Sequence, residues 1–178
     1  ENPHIDAMGL GPKGPDGMRD ENLAPYPRTP FAVKTHRREY QAMVAHLDVQ
    51  IGRILDALDQ TGVSENTFVI LTSDHGLALG RHGLLGKQNL YEHSLRTPFI
   101  IRGPGIPKDK RLSTRIHMQD AMATALDIAG ADADGLDFKS LLPLMRGERE
   151  TEDPPIYAAF APDRQRAVID GNLKLILY

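Results

Sequence analysis

At 178 residues the chain is long enough to bury a substantial core, and its 40% apolar and 25% charged residues are ordinary for a globular protein. A formal net charge of -3 with no dense Lys/Arg stripe excludes the electrostatic footprint of a nucleic-acid binder. The absence of cysteine rules out disulfides, thiolate metal sites and a cysteine nucleophile within these residues, and the longest apolar runs, 68–71 and 98–101, are far too short to span a bilayer, so no membrane partner is expected.

The chain opens at Glu1 and runs from residue 2 to residue 35 through closely spaced Gly9, Gly11, Pro12, Gly14, Pro15, Gly17, Pro25, Pro27 and Pro30, which predicts a long surface loop. It reads as a chain entered midway. Tyr40, Met43, Val44, Leu47, Ile51, Ile54, Leu55 and Leu58 then recur at spacings of three and four, predicting an amphipathic helix that Gly62 stops. Asp48, Gln50, Arg53, Asp56 and Asp59 fall mostly on its solvated face.

Residues 67–72 (TFVILT) form a continuous apolar and β-branched run, as in a strand covered on both faces. A helix followed by such a strand predicts an α/β fold with a mainly parallel sheet, to which Phe99-Ile100-Ile101-Arg102 adds a second strand ended by the turn residues 103–107. Met118, Met122, Ala125, Leu126 and Ala129 predict a helix closed by Gly130, with the methionines filling core. Phe138, Leu141, Leu142 and Leu144 predict a short helix before Gly147. Beyond an acidic link over 148–155, strands are expected at 156–160 and 167–178, the second folding into a hairpin at Asp170-Gly171-Asn172. This divides the chain into 1–147, loop-rich over 1–35, and 148–178, a linker and the start of a small C-terminal antiparallel subdomain.

The chemistry concentrates between Thr72 and Pro98. Asp74 and His75 sit on the turn after a strand, where a carboxylate oxygen and an imidazole nitrogen both reach one cation. Gly76 is expected to allow a sharp turn beneath them. The same residues serve equally as a helix cap and a hydrogen-bonded loop histidine. Lys87 lies in a loop punctuated by Gly80, Gly83 and Gly86, where a cationic point charge can approach an anion held by a metal. His82 and His93 lie in the same stretch; His82 suits a structural hydrogen bond better than lining the site, and Glu92 and Arg96 suit a structural ion pair better than a substrate contact.

Ser73-Asp74-His75-Gly76, Leu79-Gly80-Arg81-His82-Gly83, the block from Gly86-Lys87 to Glu92-His93-Ser94, and Arg96-Thr97-Pro98 together resemble the sulfatase family of the alkaline-phosphatase-like superfamily. The helical pattern Leu47-Asp48 to Gly52 and Ile54-Leu55, the segment Asp120 through Thr124 to Leu126-Asp127 and Ala129-Gly130, and the segment from Gly135 to Gly147 extend the resemblance from about Tyr40 to the end. Arg81 departs from the Glu common in the family at that position.

The resemblance implies a partial alkaline-phosphatase-like fold and a hydrolase acting on sulfuric esters. It implies that Asp74 and His75 bind a divalent cation, Ca²⁺ or alternatively Mg²⁺, together with two aspartates from an N-terminal region. It also implies that Lys87 contacts the sulfate and the leaving oxygen, and that His4 of Pro3-His4 contacts the sulfate. The family's nucleophile is a formylglycine made from Cys or Ser in C/S-x-P-x-R; none of Ser64, Ser73, Ser94, Ser113 and Ser140 stands in that pattern. The chain therefore reads as the C-terminal portion of a sulfatase catalytic domain, inactive alone. Rival readings are a phosphate or phosphonate ester hydrolase of the same superfamily and a non-catalytic module that binds sulfated glycans. Many bacterial members of the family are exported.

Overall fold

The computed structural model describes residues 19–24, 28–132, 134–148, 153–161 and 165–178. Pro3-His4, and with it the sulfate-contacting role expected of His4, lies outside them.

A 3-10 turn over Arg19–Leu23 and a helix, α1, over Pro30–Gln60 occupy ground that the Gly/Pro count assigned to loop. The start of α1 follows from Thr29, just before it, and from Pro30, its first residue. Thr29 Oγ1 accepts the Ala32 amide at 3.2 Å, and Pro30 takes the first helical position, where a missing N–H costs nothing. At the other end Gly62, at φ 72, lets its own amide reach the Asp59 carbonyl and the Val63 amide reach that of Leu58. The apolar stripe of α1 stays largely solvent-facing: Met43, Leu47 and Ile54 are all more than half exposed.

Strands β1 (Val69–Thr72) and β2 (Phe99–Arg102) pair antiparallel, with Val69 opposite Arg102 and Thr72 opposite Phe99. The mainly parallel sheet expected from the helix-then-strand order is not what the described strands form. A parallel pair needs a crossover that carries the chain back to the starting end, usually on a helix. The residues between β1 and β2 contain only a short 3-10 turn and the four-residue helix α2 (Glu92–Leu95), so the chain re-enters opposite the point where it left.

Helix α3 (Asp120–Ala129) ends at Gly130 in the left-handed region, φ 65, and α4 (Leu142–Arg146) ends likewise at Gly147, φ 81. The face that α3 buries is Asp120, Ala123 and Thr124, whereas Met118 and Met122 are exposed rather than core-filling. Polar satisfaction explains this choice. Asp120 accepts the amides of His117 and Lys139, and Thr124 Oγ1 donates to the Asp120 carbonyl while accepting the Leu141 amide at 3.0 Å. Strands β3 (Ile156–Phe160), β4 (Gln165–Asp170) and β5 (Leu173–Leu177) form an antiparallel meander, with the hairpin turning at Gly171-Asn172.

The contacts divide the chain into two units. One comprises residues 1–57, 75–96 and 156–178, and its buried Ala78 and Leu84 pack with Tyr91 and Phe160. The other comprises 58–74 and 97–155, and centres on Leu141, Leu144 and Met145 against Phe99, Ile101, Ile106 and Ile116. Each such leucine contributes roughly 1.5–3 kcal/mol by leaving water. No helix among the described residues is long and apolar enough to cross a membrane.

Candidate functional site

The turn that follows β1 carries Asp74 and His75, both exposed. His75 Nδ1 lies 2.9 Å from the Ser94 carbonyl oxygen. A carbonyl only accepts, so Nδ1 donates and the lone pair of the neutral ring is carried by Nε2. Histidine ligands are usually oriented by such a bond on the other nitrogen. Gly76 supports this arrangement for a reason other than the one its type suggests. Its φ is not positive; instead a Cβ there would stand 2.2 Å from the His93 carbonyl oxygen, so only a glycine lets the two backbones approach.

The next segment closes on itself. Ala78 and Leu79 donate to the carbonyls of Gly86 and Leu85, and Gly80 donates to Leu84 at 2.7 Å, which turns residues 78–86 into a tight loop. Four of its residues adopt positive φ: Leu79 (48), Gly80 (94), His82 (54) and Gly83 (74). The non-glycine pair is costly by about 1–3 kcal/mol each, and persists because surrounding contacts over-determine the loop. One such contact is Val33 of α1, whose Cγ1 would meet a Cβ at Gly80 at 2.4 Å; another is the Arg37 guanidinium, which donates to the Leu79 carbonyl at 2.7 Å.

Lys87 follows directly and is half-buried. The backbone that carries it is held by Asp20, Glu21 and Arg28. The Glu21 carboxylate accepts the amides of Leu85 and Gly86, the latter at 2.9 Å, and pairs with Arg28. Arg28 donates in turn to the Gly83 carbonyl at 2.8 Å, and Gln88 Oε1 accepts the Asp20 amide at 3.1 Å. Both members of the Glu21–Arg28 pair are about 95% withdrawn from solvent, at 4% and 5% side-chain exposure.

Aromatic rings also meet at the loop. His82 stacks on Tyr91 with ring centroids 4.3 Å apart, and His93 stands tilted 5.8 Å from Tyr91 and 6.1 Å from His82. Burial pushes the His93 imidazole down to about 4, helped by His82, Arg81 and Lys174 and opposed by Glu21. The Tyr91 phenol is held protonated well above its usual range by burial and by its 2.6 Å hydrogen bond to the Tyr178 hydroxyl. Glu92 pairs with Lys174, not with Arg96 as its position in the sequence suggested. Lys174 also donates to the Leu90 carbonyl at 3.1 Å, and Gln165 Oε1 accepts the Leu90 amide at 2.9 Å, tying the β3–β5 sheet to this segment.

Of the residues singled out in the sequence, His75, His82, Lys87 and His93 share one unit, and Asp74 is joined to His75 by the chain itself. Asp74 carries a hard carboxylate oxygen and His75 an imidazole oriented by its Nδ1 bond, donor types that divalent cations take. Among the described residues no group of three or more His, Cys, Asp or Glu stands together as a complete cage. Glu21, Arg28 and the Ser94 carbonyl were not singled out, because each acts on residues far along the chain or through its backbone.

The family model described as Sulfatase matches residues 11–131. The choline-sulfatase of Rhizobium meliloti is 31% identical over 172 residues, 93% of this chain and 33% of that protein. Among solved structures, a phosphonate monoester hydrolase from Silicibacter pomeroyi superposes with a TM-score of 0.74 at 26% identity, covering 90% of this chain and 35% of the other. A protein solved in complex with its substrate D-glucosamine-2-N,6-O-disulfate superposes with a TM-score of 0.72 at 32% identity, over 82% of this chain and 32% of the other. The match spans a third or less of the length of the curated relatives.

Proposed function

Because this chain belongs to the sulfatase family, we propose that it forms part of the active site of a sulfuric ester hydrolase, contributing metal and sulfate ligands while the nucleophile is carried on residues outside this sequence. In the family the formylglycine supplies the attacking oxygen and the divalent cation, Ca²⁺ or Mg²⁺, supplies positive charge at the sulfuryl group. Asp74 and His75 would hold that cation, the first through a carboxylate oxygen and the second through Nε2. The ammonium of Lys87 faces the sulfate ester and stabilises negative charge as it develops on the departing alcohol oxygen. His4 is assigned a contact to a sulfuryl oxygen. On this reading residues 1–147 belong to the catalytic domain and 148–178 begin a C-terminal subdomain.

The observation that carries the metal assignment is the Nδ1 to Ser94 carbonyl bond of His75, which places the ring lone pair on Nε2. In the complete enzyme, Asp74→Ala and His75→Ala each lower aryl sulfate turnover on the order of a hundredfold and weaken bound metal measured by elemental analysis. Normal turnover with a full metal content in both variants would sink the ligand assignment.

A second reading, hydrolysis of phosphonate or phosphate esters, is favoured by the superposition on the phosphonate monoester hydrolase. Comparing kcat/KM for matched aryl sulfate and aryl phosphonate esters separates the two. The sulfatase reading expects the sulfate ester to be preferred. Metal binding with no turnover of either ester would instead favour a sulfated-glycan-binding module.

A further inference from the structure

We infer that Glu21 and Arg28 are positioning residues for Lys87: this buried ion pair sets the backbone of residues 83–88 and thereby aims the lysine ammonium at the sulfate ester. The inference rests on the role given to Lys87 above.

The geometry has two halves. Glu21 accepts the two successive amides of Leu85 and Gly86, so a single carboxylate fixes the peptide planes directly before Lys87. Arg28 closes the other side by donating to the Gly83 carbonyl, to the Glu21 carbonyl at 2.7 Å and to the Ala24 carbonyl at 3.3 Å. A guanidinium spanning three carbonyls and a carboxylate uses the fork geometry that only arginine has. Gln88, on the far side of Lys87, accepts the Asp20 amide, so the lysine is bracketed by contacts to the same short segment.

Two further observations fit a placement device rather than general packing. A Cβ on Gly86 would lie 2.4 Å from Asp20 Cβ and 3.2 Å from Glu21 Oε1, so the chain approaches the 19–24 segment as closely as a residue without a side chain allows. A buried charged pair is also a poor way to gain stability, because desolvation offsets much of its attraction. What such a pair provides is a fixed geometry, and a lysine stem with several rotatable bonds needs its backbone fixed if the ammonium is to meet one oxygen.

The test uses the complete enzyme and sulfate esters of alcohols of increasing pKa, with Glu21→Gln, Glu21→Asp, Lys87→Ala and Glu21→Gln/Lys87→Ala. Glu21→Asp retains the charge but withdraws it by one methylene, and so remains informative if Glu21→Gln folds poorly. Expected is a loss in kcat on the order of tenfold or more for esters of poor leaving groups, shrinking towards good ones, with KM little changed. Faster amide exchange at Leu85 and Gly86 accompanies it. In the Lys87→Ala background Glu21→Gln then changes kcat less than about twofold, since the group it positions is gone. The inference is overturned if Glu21→Gln and Glu21→Asp leave kcat intact, or if their effect is uniform across leaving groups and undiminished without Lys87. Should Lys87→Ala itself spare poor leaving groups, the role of Lys87 fails first, which separates that failure from failure of the pair.

Discussion

Three residues in the turn after β1 do different physical work within a few ångströms of chain. Asp74 and His75 offer donor atoms, whereas Gly76 offers only the lack of a side chain, because the His93 carbonyl occupies the place of its Cβ. Gly76→Ala is therefore expected to cost about 1–3 kcal/mol of stability, as overpacking does, and to disturb the adjacent His75 to Ser94 bond. Thermal unfolding together with the His75 imidazole resonances by NMR checks both effects; a variant as stable as the unsubstituted chain, with those resonances unmoved, contradicts them. His93 makes a pH prediction. Its folded value of about 4 lies below its ordinary 6.5, so the unfolded chain takes up a proton in that window that the folded chain refuses. Stability contributed by keeping this ring neutral is present above 6.5 and is lost as pH falls through 4. A histidine resonance titrating near 4, absent in His93→Gln, is the expected NMR signature, and a midpoint close to 6.5 would refute it. The glycine and the acid–histidine pair were legible in the sequence as residue types, but the carbonyl that selects glycine comes from 17 positions further on.

At the scale of elements, helix ends followed their signals more closely than helix faces did. Gly62, Gly130 and Gly147 all sit just past a helix at positive φ, as a C-terminal stop requires. The start of α1 was equally written in Thr29-Pro30, although the density of proline around it reads as loop. Thr29→Ala is expected to cost about 1 kcal/mol, measured by denaturant unfolding, with fraying confined to the first turn of α1. An unchanged midpoint would show the cap to be idle. Which face of a helix is buried depended on partners that periodicity does not see. On α3 the buried side is chosen by Asp120 and Thr124 because four hydrogen bonds converge on them, while two methionines at good core spacing stay outside. The direction of β2 against β1 was similarly out of reach, since a continuous apolar strand reads the same in parallel and antiparallel pairs.

For the molecule as a whole, membership of the sulfatase family and a span of a third or less of its curated relatives give a concrete expectation. The 178-residue chain by itself is expected to show no aryl sulfate turnover above background, and turnover is expected to return when it is combined with a segment that carries a C/S-x-P-x-R motif. Turnover by the chain alone would contradict the placing of the nucleophile elsewhere. By itself the sequence determined the family, the helix stops and the strands, because these depend on residue type and on spacing within a few turns of chain. The tertiary structure decided the tautomer of His75, the antiparallel register of β1 with β2 and the bonds of Glu21 and Arg28 to the backbone of Gly83, Leu85 and Gly86. Each of these rests on a backbone carbonyl, amide or strand edge brought from 19 to 65 residues away, and such a partner leaves no periodic trace in the sequence.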